Sequence, residues 1–285
     1  MIILVLHRQK LPFFASKEGE KLNDPIIKKE KIEMRVLFNE INEPKKWISE
    51  ANSDFLLLLT SNGFAINKLD KGPIMYNVIK NFDIFVIGSN RSGTMNISSG
   101  EFRAISQFVS DGKGLLFVGN EYIKNDDNYN KYLKEVFGIF FMETIEDEKH
   151  NAFIKGGWKH SPLINIFVDH LITKNVNEIY IQRNASLGID IKKSAEPLAF
   201  SDTDSKPPCA PVLVISEHGN GKIAFIGSEG IFTDDQKAGV SIKDNSKLLL
   251  NLFQWFPTWK KCPNCKLMNP PGEKYCSRCR AMLEK

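Results

Sequence analysis

The chain has 285 residues, of which 42% are hydrophobic and 25% charged, an ordinary globular mix with room for one large domain or two small ones. Its net charge of +4 sits at one end, since residues 257–285 hold seven Lys/Arg against two Glu and the remainder is about neutral. Apolar runs never approach the roughly 20 residues that span a bilayer, and four of the five cysteines fall within 18 residues, so metal is expected rather than a disulfide framework.

The opening Met1 to Leu6 is apolar but then meets His7-Arg8-Gln9-Lys10, too short for a signal-peptide core. Together with the cysteine usage this predicts a cytoplasmic protein without membrane contact. Residues 1–31, rich in Lys and Glu, read as an N-terminal extension. Residues 32–38 alternate as a strand, followed by Asn39 and Glu40. Residues 54–61 read as a helix closed by Gly63, and 64–69 as an edge strand. Pro73 suits a first helical turn, which predicts a short helix over 73–81. Residues 83–88 are a buried strand bounded by polar residues and glycine, leading into the polar loop Ser89-Asn90-Arg91-Ser92-Gly93.

Ser98-x-x-Glu101 has capping-box spacing. It opens a helix with Phe102, Ile105, Phe108 and Val109 on one face. Gly112 and Gly114 close that helix and feed a central strand, 115–118, which ends in Gly119-Asn120-Glu121. Many α/β enzymes carry a nucleophile at such a turn; here there is neither Ser nor Cys. Residues 128–137 form another helix. The segment 139–211 is less regular, with strand-like pieces at 139–142, 178–182 and 188–191. Strands 212–216 and 223–227 flank Gly219-Asn220-Gly221, a strong hairpin signal. Asp244-Asn245 then caps a helix over 246–256 with Leu248, Leu249, Leu252, Phe253 and Phe256 buried, and Pro257 stops it. Strands and helices alternating at this spacing imply an α/β fold whose parallel sheet carries helices on both faces.

The order of pieces is similar to a known type. Ser98-x-x-Glu101, Phe108-Val-Ser-Asp-Gly-Lys-Gly114 with its strand, His160-Ser-Pro-Leu-Ile164, and Gly219-x-Gly221-Lys-Ile-Ala-Phe-Ile-Gly-Ser228 with the helix to Trp255 resemble the class I glutamine amidotransferase-like fold. The nearer likeness is to its non-enzymatic branch, which includes the GIFT module of intraflagellar-transport and gliding-motility proteins. The resemblance covers 32–257 and implies a flavodoxin-like, amidotransferase-like α/β domain. Amidotransferases have Cys in the turn where this chain has Asn120, so their activity is not implied.

Ligands of a parallel sheet gather at the carboxyl ends of its strands. The crevice residues expected there are Asn39, Glu40, Ser89, Asn90, Arg91, Asn120 and Glu121, with Ser228 and Glu229 nearby; Glu40 and Glu121 could pair their carboxylates beside Arg91. No phosphate-loop or dinucleotide fingerprint is present. Cys209, between Pro207-Pro208 and Pro211, suits an extended entry to a strand rather than a nucleophile elbow. His160 and His218 are expected in loops.

Cys262-x2-Cys265-x10-Cys276-x2-Cys279 is the strongest chemical signal. Two knuckles aiming two thiolates each at one point give the tetrahedral sulfur shell that Zn²⁺ prefers, closed and structural because all four ligands are protein. Residues 258–285 are too few and too polar to fold on a core alone, so one structural Zn²⁺ is expected to hold them as a zinc ribbon. Pro263, Asn264, Asn269-Pro-Pro-Gly272 and Tyr275 resemble the short zinc ribbons of many prokaryotic proteins. Trp259 and Asn269 also resemble the Ran-binding-protein type of finger, although two residues, Lys260 and Lys261, separate Trp from Cys where that type has one, which leaves its RNA-binding role open. The expectation is a non-catalytic binding or scaffold protein whose ribbon contacts a protein partner. Two alternatives stand beside it: a nucleic-acid-associated protein, through Lys260, Lys261, Lys266, Lys274, Arg278, Arg280, Trp259 and Tyr275, or an enzyme using the strand-end crevice.

Overall fold

A computed structural model describes residues 34–41, 52–88, 97–123, 127–152, 158–256, 260–269 and 274–283. The expected extension 1–31, the loop residues Ser89, Asn90 and Arg91, and Pro257 and Trp259 lie outside them.

Five strands build the parallel part of the main sheet: β1 (Met34–Asn39), β2 (Phe64–Leu69), β3 (Ile84–Gly88), β4 (Gly114–Val118) and β12 (Gly221–Ile226). Four helices lie along this part of the chain: α1 (Ser53–Ser61), α2 (Tyr76–Ile79), α3 (Ser99–Ser110) and α4 (Asp127–Phe137). The less regular middle supplies β5 (Ile139–Phe141), β6 (Leu163–Ile164), β7 (Ile166–Phe167), β8 (Ile179–Tyr180), β9 (Leu187–Ile189) and β10 (Ala195–Phe200). The strand β11 (Pro211–His218) and the helix α5 (Asn245–Trp255) complete the body, and the tail holds β13 (Lys260–Lys261) and β14 (Met268–Asn269).

Among the described residues the main sheet has eight strands in the order β2-β1-β3-β4-β12-β11-β10-β7. The pairs from β2 to β12 are parallel, and β11, β10 and β7 add antiparallel partners at one edge. The strands expected at 32–38, 64–69, 83–88 and 115–118 therefore pair in parallel. The antiparallel extension beyond the hairpin comes from the segment whose periodicity was weakest.

Side chains alternate across the sheet and feed two cores. Val36, Phe38, Ile84, Val86, Leu116, Val118, Ala224 and Ile226 pack on one face with Phe55 and Leu59 of α1 and Leu248, Leu249, Leu252 and Phe253 of α5. Leu37, Phe85, Ile87, Leu115, Phe117, Ile223 and Phe225 pack on the other with α3 and α4. Strands buried on both faces read as nearly continuous apolar runs, which is why β3 and β4 stood out in the sequence.

Local chemistry explains most boundaries. Ser98 and Glu101 form the expected reciprocal cap, the Glu101 N–H donating to Ser98 Oγ at 3.3 Å and the Ser98 N–H to Glu101 Oε2 at 2.9 Å. Gly63, at φ +87°, follows α1 in the left-handed region. The helix expected over 73–81 is a single turn, because Met75 is extended (φ −113°, ψ 136°) and the chain turns helical only after it. Asp244 stands at the start of α5 but does not cap it with its side chain. Its carboxylate instead accepts from the Asn177 N–H at 2.8 Å and Lys247 Nζ at 2.6 Å. Cys209 is exposed at φ +50°, in a turn rather than the expected extended entry. His218 ends a strand rather than sitting in a loop, and its Nε2 lies 2.9 Å from Ser106 Oγ. Cys209 and His218 stand at opposite ends of β11, which at about 3.3 Å per residue keeps them far apart. No helix among the described residues is long and apolar enough to cross a membrane.

Candidate functional site

The tail builds its centre from two equivalent turns. In the first, the Cys262 N–H donates to Leu267 O at 2.8 Å and the Lys266 N–H to Cys262 O at 3.0 Å. In the second, the Cys276 N–H donates to Ala281 O at 2.8 Å and the Arg280 N–H to Cys276 O at 2.9 Å. Lys266 (φ +60°) and Arg280 (φ +59°) occupy the same left-handed position, four residues past the first cysteine of each turn. Asn269, fully buried, joins the halves: its Nδ2 donates to Leu267 O at 2.9 Å and its Oδ1 accepts from the Ser277 N–H at 2.9 Å.

These turns bring the four sulfurs together. Cys262 Sγ lies 3.5 Å from Cys279 Sγ, Cys265 Sγ lies 3.4 Å from Cys276 Sγ, and all four fall within 4.8 Å of one another. A tetrahedral Zn²⁺ with bonds near 2.3 Å needs sulfurs about 3.7 Å apart, so the donor set fits such an ion. Burial pushes the Cys276 thiol up, but the N–H groups of Cys279 and Arg278 and the neighbouring sulfurs outweigh it and hold the pKa at about 6. Cys265 has help from the Leu267 N–H, yet burial and the other sulfurs push it up to about 11. Four thiols this close cannot all ionise without a counter-charge, and a dication at their centre supplies one. Around them pack Leu283, Leu267 and Ala281, a cluster made of tail residues alone.

The second site lies where β4 and β12 end. Asn120, 1% exposed, accepts from the Tyr122 N–H at 2.9 Å and donates to Glu229 Oε2 at 3.3 Å. Glu229 also meets Arg183 Nη1 at 3.5 Å. Arg183 arrives because residues 182–185 press against the turn after β12. A Cβ on Gly227 would sit 1.9 Å from Ala185 O, so only glycine permits the approach. Ser228 Oγ locks it by donating to Gln182 O at 2.6 Å. Asn184, fully buried, ties in two more loops, accepting from the Ile145 N–H at 2.8 Å and donating to His160 O at 3.0 Å.

These contacts frame a cleft of about 530 Å³. Glu121, Tyr122 and Thr144 line it together with Trp158, His160 and Ser161 and with Gln182 and Arg183. Tyr122 and Trp158 are half exposed. The charge of Glu121 and a hydrogen bond to it hold the Tyr122 phenol above its usual pKa. His160 Nδ1 lies 3.5 Å from Glu146, which also takes Lys159 at 2.8 Å.

Of the crevice residues expected from sequence, Glu121 lines this cleft and Asn120 lies buried behind it. Asn39 and Glu40 are buried at the end of β1 and are not among the lining residues. Ser89, Asn90 and Arg91 lie outside the described residues. Asn120 is engaged by Glu229. Tyr122, Thr144, Trp158, Ser161, Gln182 and Arg183 were not foreseen; the one hint was the His160-Ser-Pro piece that carried part of the family likeness.

Another group, outside the cleft, unites Asp147, His150, Asp202 and Asp204. His150 Nδ1 lies 3.3 Å from Asp202 and 3.5 Å from Asp204, and Lys149 reaches Asp204 at 2.8 Å. Lys149 and the His150 ring answer its carboxylates, and it fastens the loop at 147–150 to the loop at 202–206.

No family model and no curated protein matches the sequence. Solved structures do match. The mmIFT52 N-terminal domain superposes with a TM-score of 0.65 at 20% identity, covering 77% of this chain and 96% of that one. A cytoplasmic protein from Salmonella typhimurium gives 0.57 at 16% identity, with 78% and 98% covered. A ThuA-like protein from Parabacteroides merdae gives 0.51 at 14% identity, with 79% and 90% covered. At these identities the likeness is one of fold: the chain shares its amidotransferase-like α/β architecture with these structures.

Proposed function

We propose that this chain is a non-catalytic binding protein of the GIFT-like branch, in which an amidotransferase-like body carries a structural zinc ribbon, residues 258–285, that makes contact with a protein partner. The observation that carries the reading is Asn120. At the turn where amidotransferases keep a nucleophile, this chain has a buried amide whose oxygen holds Tyr122 and whose nitrogen holds Glu229. Such a group positions a loop and attacks nothing. The likeness to the mmIFT52 domain supports the choice of branch. One Zn²⁺ on Cys262, Cys265, Cys276 and Cys279 supports the ribbon, which is short of apolar residues for a core of its own. A cytoplasmic setting accords with thiols kept for metal.

A second reading, nucleic-acid binding, is favoured by exposed Lys266, Lys274, Arg278 and Arg280 beside the exposed Tyr275. Quantitative affinity capture with the intact chain and with full-length Cys276→Ser separates the possibilities. A protein partner held by the intact chain and lost with the variant is the expected result. Partners retained equally by both would overturn the ribbon's role. Capture of nucleic acid whose affinity falls steeply with salt would give the second reading the advantage. Covalent labelling of Cys209 by a glutamine-analogue inhibitor would contradict the non-catalytic body.

A further inference from the structure

We propose that the cleft at the ends of β4 and β12 is a receptor for a guanidinium group, borne either by a free small molecule or by an arginine side chain of a partner. This deepens the binding reading of the body and rests on it, but it is independent of the ribbon.

Three features converge. The first is an orphan hydroxyl. Ser161 lines the cleft, is 1% exposed, and its Oγ has no hydrogen-bond partner among the described residues. Buried hydroxyls are nearly always paired, so one left unpaired at the wall of a cavity marks a place where a small shift would let it meet a guest's polar atom. The Ser161 N–H donates to Trp158 O at 2.8 Å, so one turn sets both the hydroxyl and the indole.

The second is aromatic. Tyr122 and Trp158 are 47% and 48% exposed, unusually open for rings of this size, and both line the same cleft. The Trp158 face already attracts a cation, with Lys237 Nζ 5.9 Å from its centroid. A flat, weakly hydrated guanidinium stacks on such faces better than a compact ammonium does.

The third is charge and acceptor chemistry. Two smaller hollows, about 270 and 210 Å³, share Gln182 with the cleft. Among the described lining residues of the three, the carboxylates of Glu121, Glu229, Asp234 and Asp235 stand with the cations of Arg183 and Lys237 and the His160 ring. Asp234 is engaged by the start of α1, accepting from the Ser53 N–H at 2.8 Å. Asp235 likewise accepts from the Lys237 N–H at 2.7 Å, and setting both aside leaves Glu121 and Glu229 as the carboxylates beside the cleft. Arg183 is paired with Glu229, which blunts its repulsion of a positive guest. A guanidinium has five donors and no acceptor. The lining residues carry acceptors of this kind: the Ser161 and Thr144 hydroxyls, the Gln182 amide oxygen and the Glu121 carboxylate. Glu121 would take the charge, the rings the flat face and Ser161 a remaining N–H, an apolar pocket with a few convergent polar groups.

Calorimetric titration of the full-length, zinc-loaded protein with N-acetyl-arginine amide tests this, with glucose and acetate as controls. Saturable binding of the arginine amide alone is expected, weakening as salt is added. Trp158→Ala should weaken it by at least about tenfold, and Glu121→Gln by several-fold with a flatter salt dependence. Trp158 is half exposed, so its variant should keep its fold and its zinc; zinc content and melting temperature check that. A peptide with a central arginine binding at least about tenfold tighter than the amide would identify a protein source, and equal affinities a small-molecule source. No saturable binding, glucose binding as tightly, or an unchanged affinity in Trp158→Ala would overturn the proposal and leave the ribbon reading intact.

Discussion

Gly221 stands where a side chain has no room. It closes the hairpin between β11 and β12, and a Cβ there would lie 2.1 Å from Val109 O and 2.4 Å from Lys113 O. Both atoms are backbone, at the end of α3 and the entry to β4, so they cannot swing aside. Gly221→Ala should therefore destabilise the body by about 2 kcal/mol or more, read as a lowered midpoint in urea. Gly219-Asn220-Gly221 was legible as a turn, because the dipeptide chemistry is local. Its press against α3 was not, because that depends on where another element ends. His218 makes a second case. Burial, with Lys193 nearby, holds its pKa below the ordinary value of 6.5. A lowered folded pKa means the neutral form is preferred in the fold. The cost is absent above the ordinary value, grows as pH falls through it, and is complete below the folded value. Melting temperatures between about pH 7.5 and pH 5 should fall less steeply in His218→Gln than in the unaltered chain. Identical slopes would show that the imidazole is not the group responsible.

The two cysteine turns repeat one design, down to matching hydrogen bonds and left-handed residues at Lys266 and Arg280. One zinc per chain is expected by elemental analysis, and Cys276→Ser should lose most of it, since three thiolates and a hydroxyl hold the ion far less well. Unchanged zinc in that variant would remove the ligand assignment. Lowering the pH should release the metal as the thiolates are protonated. This element was readable in the sequence because knuckle spacing is a covalent property of a short segment. So were β3, β4 and α3, whose apolar periods and capping box are equally local. The cleft was not. Its wall at 182–185 reaches β12 through Ser228 and a glycine contact across the fold. Arg183, at φ +50°, sits in a bend without any turn dipeptide to announce it. Glu121 could be placed because it follows a strand that the sequence made obvious, whereas Trp158 and Ser161 belong to a stretch with no period at all.

The body and the tail are expected to draw stability from different sources. Two large apolar clusters flank the sheet, and each buried Leu or Phe of α5 contributes about 1.5–3 kcal/mol to the one it joins. Among the described residues the tail's cluster has three buried members, two of them the cysteines Cys262 and Cys276. Its folding free energy should come almost entirely from zinc, which lets the body hold its ligand cleft whether or not the ribbon is folded. Calorimetry of the full chain, with and without a strong chelator, tests this division of labour most directly. The main transition should move by less than about 4 °C on zinc removal, since 1 kcal/mol shifts a domain of this size by about 2–4 °C. A main transition that collapses together with zinc release would make the ribbon an integral brace and contradict the division.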